Sequence, residues 1–345
     1  MLKKRYIYHP TAMVRTNQSA HNCGIIRSVR GIALLTVILI IGVMSVAVIS
    51  MSRKNIGVIT VVERERTRLN LLTAVESGIA IAHGLLLKDL AENNYDSLLD
   101  RWATIGADKG ILEIDNHRVE IRIEDLSGRL PLNSIVENAG ITSALFQLLK
   151  DYNFLIREER QPTQLIDSVA DWIDTDDTVR GDGAEKFYYQ SLPDPYIPRN
   201  GPMILPSEYQ HVKAIDRNLD FGNESNDGLS RYLTVFGNDS RININTAPLK
   251  IVNALAGGLL NDDLLESFER YRNAQQNIAE LRRKDWYRDL PGWPSRVVID
   301  PRLITTRSNA FKIVSRAEKD GIQAKITLYV ERTPGRISVN YRKVM

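Results

Sequence analysis

A long uncharged run near the N-terminus constrains this chain of 345 residues more than any other feature. It extends from Gly31 to Ser52 and reads GIALLTVILIIGVMSVAVISMS. At 1.5 Å per residue, a helix of about 22 residues reaches roughly 33 Å, enough to cross the hydrocarbon core of a bilayer. A secretory signal peptide has a shorter apolar core and a small-residue cleavage site behind it, which this run lacks. The sequence therefore predicts a transmembrane segment over residues 32–52 and a water-facing body after it.

The charges on either side of this run predict its orientation. Residues 1–30 contain no acid and carry the basic side chains Lys3, Lys4, Arg5, Arg15, Arg27 and Arg30. Basic flanks stay on the cytoplasmic side of a membrane, so we expect the body on the opposite side. A plain signal anchor is the simplest interpretation of the run and its flanks taken alone.

Composition limits the functions open to the body. The formal net charge is +3, with 43% hydrophobic and 25% charged residues. These values allow a buried core, and the length predicts two domains. The charge is too balanced to indicate a nucleic-acid-binding protein. The single cysteine, Cys23, precedes the apolar run, so the body needs no disulfide to fold in an oxidising compartment.

Hydrophobic periodicity after residue 53 predicts a small α+β unit that is split in sequence. Apolar residues recur at helical spacing at positions 72, 75, 79, 82, 86 and 90. Alternating patterns predict strands around Ile121, over residues 322–330 and over residues 337–341. We therefore assign residues 53–129 and 304–345 to one core and residues 130–303 to a mostly helical insertion. A coiled-coil stalk is the alternative for the helix.

An acidic stretch inside the insertion is the strongest candidate for a ligand site. Asp174, Asp176 and Glu185 occupy positions one, three and twelve of an EF-hand-like frame, but Val179 replaces the glycine at position six. Oxygen-only ligands suit Ca²⁺, and carboxylates at the end of a helix oppose its dipole unless a cation is bound. We predict Asp174, Asp176, Asp177 and Glu185 as ligands. Asp171 and Asp182 are further candidates, and a solvated acidic turn is the alternative.

Two other function classes receive less support. Asn243 to Pro248 and the Gly257-Gly258 pair are similar to parts of helix-hairpin-helix units, which suggests DNA binding as an alternative function. Asp262 and Asp263 follow directly and would repel phosphate. The five histidines are scattered, and no nucleophile motif or phosphate loop is found. We therefore expect that the chain is not an enzyme and that it does not bind nucleic acid.

The junction Arg30-Gly31-Ile32 resembles the class III signal of type IV pilins and type II secretion pseudopilins. This resemblance implies that a prepilin peptidase removes residues 1–31 as a leader and methylates Ile32. Those families usually have Glu at the fifth mature position, which is Thr36 here. A buried carboxylate needs a partner, and a subunit at a fibre tip has no neighbour above it to provide one.

Motifs of the insertion resemble one pseudopilin family, protein K of type II secretion. They are Asp171-Trp-Ile-Asp-x-Asp176, Gly183-Ala-Glu185, Tyr188-Tyr189, Pro195-Tyr196, Asn200, Glu208 with Val212, and Ile242 to Pro248. The resemblance implies a long N-terminal helix and an antiparallel sheet, with a large SAM-like α-helical domain that binds calcium inserted between strands. It further implies a non-enzymatic subunit of the inner membrane with a periplasmic body. Such a subunit caps the pseudopilus with minor pseudopilins I and J and helps to initiate assembly.

Overall fold

A computed structural model describes residues 29–105, 110–151, 154, 156, 158–237 and 239–345. The side chains at 29, 30, 54–57 and 151 are not described. Residues 1–28 of the predicted leader, Cys23 among them, lie outside the described residues. Contacts divide the chain into two units, Met1–Glu63 and Arg64–Met345.

Helices and strands alternate in long blocks along the chain. The helices are α1 (Val29–Glu92), α2 (Arg101–Thr104), α3 (Ala139–Asp151), α4 (Gln161–Ile173), α5 (Lys186–Gln190), α6 (Arg217–Phe221), α7 (Leu249–Leu255) and α8 (Asp262–Arg272). The strands are β1 (Ile111–Ile114), β2 (His117–Asp125), β3 (Leu130–Pro131), β4 (Leu233–Thr234), β5 (Ile242–Asn243), β6 (Ile304–Thr305), β7 (Ala310–Lys319), β8 (Ile322–Thr333) and β9 (Arg336–Val344).

In the first unit, the uncharged run is helical throughout. Within the described residues, α1 is the one helix long and apolar enough to cross a membrane, with a mean hydropathy of 3.0 in its most apolar window. The side chains from Gly31 to Arg53 are exposed. Thr36 donates its hydroxyl hydrogen to the carbonyl of Ala33, at 2.8 Å, which satisfies this polar group inside the helix.

In the second unit, an antiparallel sheet is built from both ends of the body. Its strand order is β1-β2-β7-β8-β9. Strand β2 pairs with β7 from Val119 opposite Ala317 to Asp125 opposite Phe311. The chain between these two neighbours forms the insertion, so the predicted fold class is confirmed: long helix, antiparallel sheet and an inserted, mostly helical region.

The helix packs on one face of this sheet through the predicted periodic stripe. Val75, Ile79 and Leu86 of that stripe are buried against inward-facing residues of β2, β7 and β8, which include Ile121. Leu71 is fully buried there as well, whereas the predicted Leu72 is only partly buried. Each such side chain contributes about 1.5–3 kcal/mol when fully removed from water, so this face accounts for the stability of the helix–sheet pair.

Sequence analysis did not predict strands β1 and β7. For β7 the failure has a clear physical reason. Its inward positions include Ala317 and Ser315, which are small or polar and hide the alternation. They are small because α1 approaches closely at Gly78, where an added Cβ would lie 2.4 Å from the Ser315 hydroxyl oxygen. That hydroxyl donates to the carbonyl of Val75, at 3.0 Å.

The insertion has its own apolar core, formed by α3, α4, α7 and α8 with the segments between them. Two parallel two-residue pairs, β3·β4 and β5·β6, join distant parts of the chain. Asn245 is buried and donates to the carbonyls of Asp96, at 3.1 Å, and Leu281, at 2.8 Å. Trp286 donates its indole N–H to the Asn245 side chain, at 2.8 Å. Trp286 is therefore a core residue.

Candidate metal centre

Three carboxylates meet where helix α4 ends and helix α5 begins. Asp171 lies in the last turn of α4, Asp174 is its C-cap, and Glu185 is the residue before the first turn of α5. Each offers an oxygen, and these oxygens lie within 4.8 Å of one another. Helix α4 is fixed by its apolar face, where Leu165 and Val169 are fully buried. The packing of α4 thus holds Asp171 and Asp174 at the position of Glu185.

The electrostatics of this group favour binding of a cation. Glu185 is only 2% exposed, and among the described residues neither of its oxygens accepts a hydrogen bond. One oxygen of Asp174 is likewise buried without a donor. Burial and then repulsion from the neighbouring aspartates raise the pKa of Glu185 to about 7. Burial also raises the pKa of Asp171 and of Asp174. A buried carboxylate without a donor is costly, and a bound cation removes that cost.

The loop between the two helices is shaped around Asp171. The backbone N–H of Arg180 donates to both oxygens of Asp171, at 3.1 and 3.2 Å. A Cβ on Gly183 would lie 2.1 Å from an Asp171 oxygen, so only glycine allows this close approach. The Arg180 guanidinium lies 3.5 Å from Asp174 and neutralises part of the charge.

Lys213 supports this loop from a distant part of the chain. Its ammonium group donates to the carbonyls of Asp182, at 3.1 Å, and Gly183, at 2.9 Å. The same group lies 5.0 Å from the centre of the Tyr188 ring. Sequence analysis did not identify Lys213, because no local pattern indicates a contact across so many residues.

The remaining predicted ligands lie outside this group. Asp176 accepts from the backbone N–H of Thr178, at 2.8 Å, and Asp177 accepts from the Asn200 side chain, at 3.0 Å. Asp182 is exposed. The structure therefore brings together Asp174 and Glu185 of the four predicted ligands. To these it adds Asp171, one of the two further candidates.

In a second acidic group, by contrast, the carboxylates are paired with a cation and a hydrogen-bond donor. Oxygens of Asp89, Asp96 and Asp100 also lie within 4.8 Å of one another. Arg332 is 1% exposed and forms ion pairs with Asp89, at 3.0 Å, and with Asp96. The Ser97 backbone N–H donates to Asp100, at 2.6 Å. This cluster already contains its cation, whereas the group around Glu185 has only the partly exposed Arg180.

The donor set at Glu185 fits a hard cation. Among the His, Cys, Asp and Glu side chains that the structure describes, the ligand atoms that meet here are all carboxylate oxygens. Oxygen ligands are typical of Ca²⁺, Mg²⁺ and Mn²⁺ rather than of Zn²⁺ or Cu²⁺. Ca²⁺ accepts irregular ligand geometry better than Mg²⁺ does. Asp171, Asp174 and Glu185 are the residues that would hold it.

The Gly257-Gly258 pair lies in the connection between two helices of the insertion. Gly257 and Gly258 both have φ of 73° and connect α7 to α8. Asp262 and Asp263 lie exposed in the first turn of α8, where Asn261 caps the helix. Two carboxylates at this position oppose the approach of a phosphate.

Comparison with known proteins finds similarity to one family in the first part of the insertion. The family described as "Type II secretion system (T2SS), protein K" matches residues 128–221, which include all three clustered carboxylates. The type II secretion system protein K of Aeromonas hydrophila is 28% identical over 208 residues. That of Pseudomonas aeruginosa is 25% identical over 238 residues. The chain is thus similar to proteins K of type II secretion systems, and residues 128–221 match the model of that family.

The extent of these matches differs between the two relatives. The Aeromonas alignment covers 55% of this chain and 60% of the relative. The Pseudomonas alignment covers 66% of this chain and 68% of the relative. Similarity to the protein K family is thus found over more of the chain than the matched segment 128–221.

A solved structure supports the same fold. The GspK–GspI–GspJ complex of the enterotoxigenic Escherichia coli type 2 secretion system contains a chain that superimposes with a TM-score of 0.63. The superposition covers 82% of this chain and 99% of that chain, at 18% sequence identity. The combination of long helix, split sheet and inserted region is therefore shared with a solved protein.

We predict that Lys213→Met weakens Ca²⁺ binding about tenfold, a typical effect of removing a group that orients metal ligands. Methionine retains the apolar part of the side chain but cannot hold the carbonyls of Asp182 and Gly183 together. Calorimetric titration of the purified chain with Ca²⁺ measures this change. Lys213→Arg keeps the charge and should recover most of the affinity. A Met variant that binds Ca²⁺ as the wild type does would contradict the role of Lys213.

Proposed function

We propose that this chain is a minor pseudopilin of a type II secretion system. It has a structural rather than catalytic role, is anchored in the inner membrane and carries its body in the periplasm. The observation that supports this most is the sheet split by a large inserted region, which the chain shares with the protein of the GspK–GspI–GspJ complex. Its partners are then pseudopilins of types I and J, and its position is at the tip of the pseudopilus. From there it helps to initiate assembly for export across the outer membrane.

The insertion supports the tip position. It begins after β2 and returns to the sheet at β7, and it contains most of the buried apolar residues of the body. A domain of this size attached to one end of a pilin-like core would clash with a subunit stacked above it. Thr36 is consistent with this position, because a subunit without a neighbour above has no partner for the usual glutamate.

In this proposal, prepilin peptidase cleaves between Gly31 and Ile32 and methylates the new N-terminus. Gly31→Ala should then leave residues 1–31 attached to the membrane-extracted protein, which an intact-mass measurement detects. Gly42→Ala is the matched control, since neither glycine has an atom within 4 Å of an added Cβ. Normal leader removal from Gly31→Ala would reject the prepilin interpretation.

We also propose that Ca²⁺ binds at Asp171, Asp174 and Glu185 as a structural ion. Its positive charge would offset the repulsion among the three carboxylates. It would thereby fasten the end of α4 to the start of α5 and order the loop between them. The ion would thus contribute to the stability of the insertion, since it joins the ends of two of its helices.

Co-expression with minor pseudopilins I and J tests the partner proposal. We expect the three proteins to purify as one complex from detergent-solubilised membranes. A chain that stays alone when both partners are present, while its body is folded, would reject the proposed role.

A further inference from the structure

The sheet face opposite α1 carries an unusual arrangement of charge. Its side chains form rows across β2, β7 and β8, as the pairing register defines them. One row consists of Glu120, Arg316 and Lys325. The next contains Arg122, and the third includes Glu124 and Lys312. We call this the basic face.

Cations exceed acids on the basic face. Glu120 forms an ion pair with Arg316 and lies 3.7 Å from Arg122. Arg316 and Lys325 are direct cross-strand partners, and like charges at such positions are destabilising. This repulsion would be relieved by an anion lying across the two side chains.

A cleft continues the basic face towards the insertion. It has a volume of about 800 Å³ and lies between the sheet and the segments around Arg231 and Phe236. Phe236 stacks on Tyr329 of β8 with ring centroids 4.6 Å apart, which closes one side of the cleft. A smaller hollow of about 260 Å³ on the sheet shares lining residues with it, so the two form one continuous depression.

Charge in the cleft has the same sign as on the basic face. Glu124 is shared between two cations, Arg129 at 3.1 Å and Lys312 at 3.2 Å. The cations lining the whole depression are Arg122, Arg129, Arg231, Lys312, Arg316 and Lys325, and the acids are Glu120, Glu124 and Asp125. Asp125 accepts hydrogen bonds from Ser308 and Thr246, so it is already satisfied.

We propose that the basic face and its cleft bind an extended, acidic segment of a partner protein. Successive rows of a sheet are about 7 Å apart along the strands, since they are two residues apart. An extended peptide repeats its side chains at the same distance. Acidic residues at alternate positions would therefore meet Arg316 with Lys325, then Arg122, then Lys312.

The depression favours a peptide over duplex DNA. Its walls come from the sheet on one side and the insertion on the other, and a cleft of about 800 Å³ is of a size that holds a few side chains rather than a duplex. Phe221 also lines the cleft and is 57% exposed, so its ring offers contact area to side chains between the acids. This inference does not depend on the proposed secretion role or on the calcium site.

Fluorescence anisotropy with a labelled peptide tests the proposal on the full chain in neutral detergent. The peptide alternates Glu and Thr, and a second peptide has the same composition with the Glu residues in one block. We expect the alternating peptide to bind more tightly and binding to weaken as salt is added. The double variant Arg122→Gln, Arg316→Gln should bind the alternating peptide about five- to tenfold more weakly, because it lacks two exposed charges that would contact the peptide.

Both arginines are exposed, at 64% and 65%, so the double variant should fold normally. Arg302→Gln is the matched control, because Arg302 is 88% exposed, also pairs with an acid and does not line the depression. Unchanged binding by the double variant would overturn the proposal. Equal binding of the block peptide, or tighter binding of a short DNA duplex, would overturn it as well.

Discussion

Replacing Arg332 with methionine should lower the free energy of unfolding by about 3–5 kcal/mol, the usual cost of leaving buried charge without its partner. The Arg332 side chain is 1% exposed and joins separate segments of the body. It donates to the carbonyls of Leu86, at 3.1 Å, and Ser308, at 2.9 Å, and it forms ion pairs with Asp89 and Asp96. Thermal unfolding of the detergent-solubilised chain should show a midpoint lower by roughly 10 °C.

The cost of this substitution should grow with pH. Burial raises the pKa of Asp96, while Arg332 lowers it. Without the arginine that pKa rises further, so the folded variant holds a proton that unfolding releases. Stability of the variant therefore falls as the pH increases, and the difference from wild type is smaller near pH 5 than near pH 8.

Arg342→Met is the matched control for Arg332→Met. Arg342 also connects the sheet to α1, through an ion pair with Glu76, but it is 46% exposed. Exposed pairs contribute about 1 kcal/mol or less, so this variant should unfold close to wild type. Equal effects of the two substitutions would mean that burial of the Arg332 cluster does not determine its contribution.

The elements predicted from sequence are those in which one face alone is buried. The stripe of α1 and the alternation in β2 and β8 are regular, because each packs apolar side chains on one side only. Strand β7 was not predicted, because its inward residues include the polar Ser315, which interrupts the apolar alternation. Ser315 packs against Gly78 of α1. Such a fit depends on two segments more than 200 residues apart, and neither segment has a local signal for it.

The acidic stretch could be identified from sequence, whereas its geometry could not. The EF-hand-like frame counts forward from Asp174 and so favours Asp176, at position three. The structure turns Asp176 towards Thr178 and the neighbouring Asp177 towards Asn200. Asp171 lies outside that frame, but it is three residues before Asp174 and shares its side of the helix end. Helical spacing, rather than loop spacing, is the better guide for a ligand group that begins on a helix.

Removing calcium should lower the free energy of unfolding of the wild-type chain. It should also make wild type less stable than the Glu185→Gln variant, whereas wild type is the more stable protein with Ca²⁺. At a Ca²⁺ concentration of about 100 times the dissociation constant, binding adds about 2.7 kcal/mol. Chelation with EDTA removes that contribution and should lower the melting temperature by roughly 5–10 °C. Glu185→Gln should lose most of this response, because both Glu185 oxygens are buried and without a hydrogen-bond donor among the described residues.

In EDTA we expect Glu185→Gln to be more stable than wild type. A neutral amide avoids the repulsion from Asp171 and Asp174 that raises the pKa of Glu185, and its N–H groups can donate to those carboxylates. With Ca²⁺ the order reverses, since wild type alone has the full ligand set. Asp182→Asn is the matched control, because Asp182 is an exposed acid of the same loop outside the cluster, and it should respond to Ca²⁺ as wild type does. If Glu185→Gln were the less stable protein in both conditions, Glu185 would contribute through packing and not through a cation.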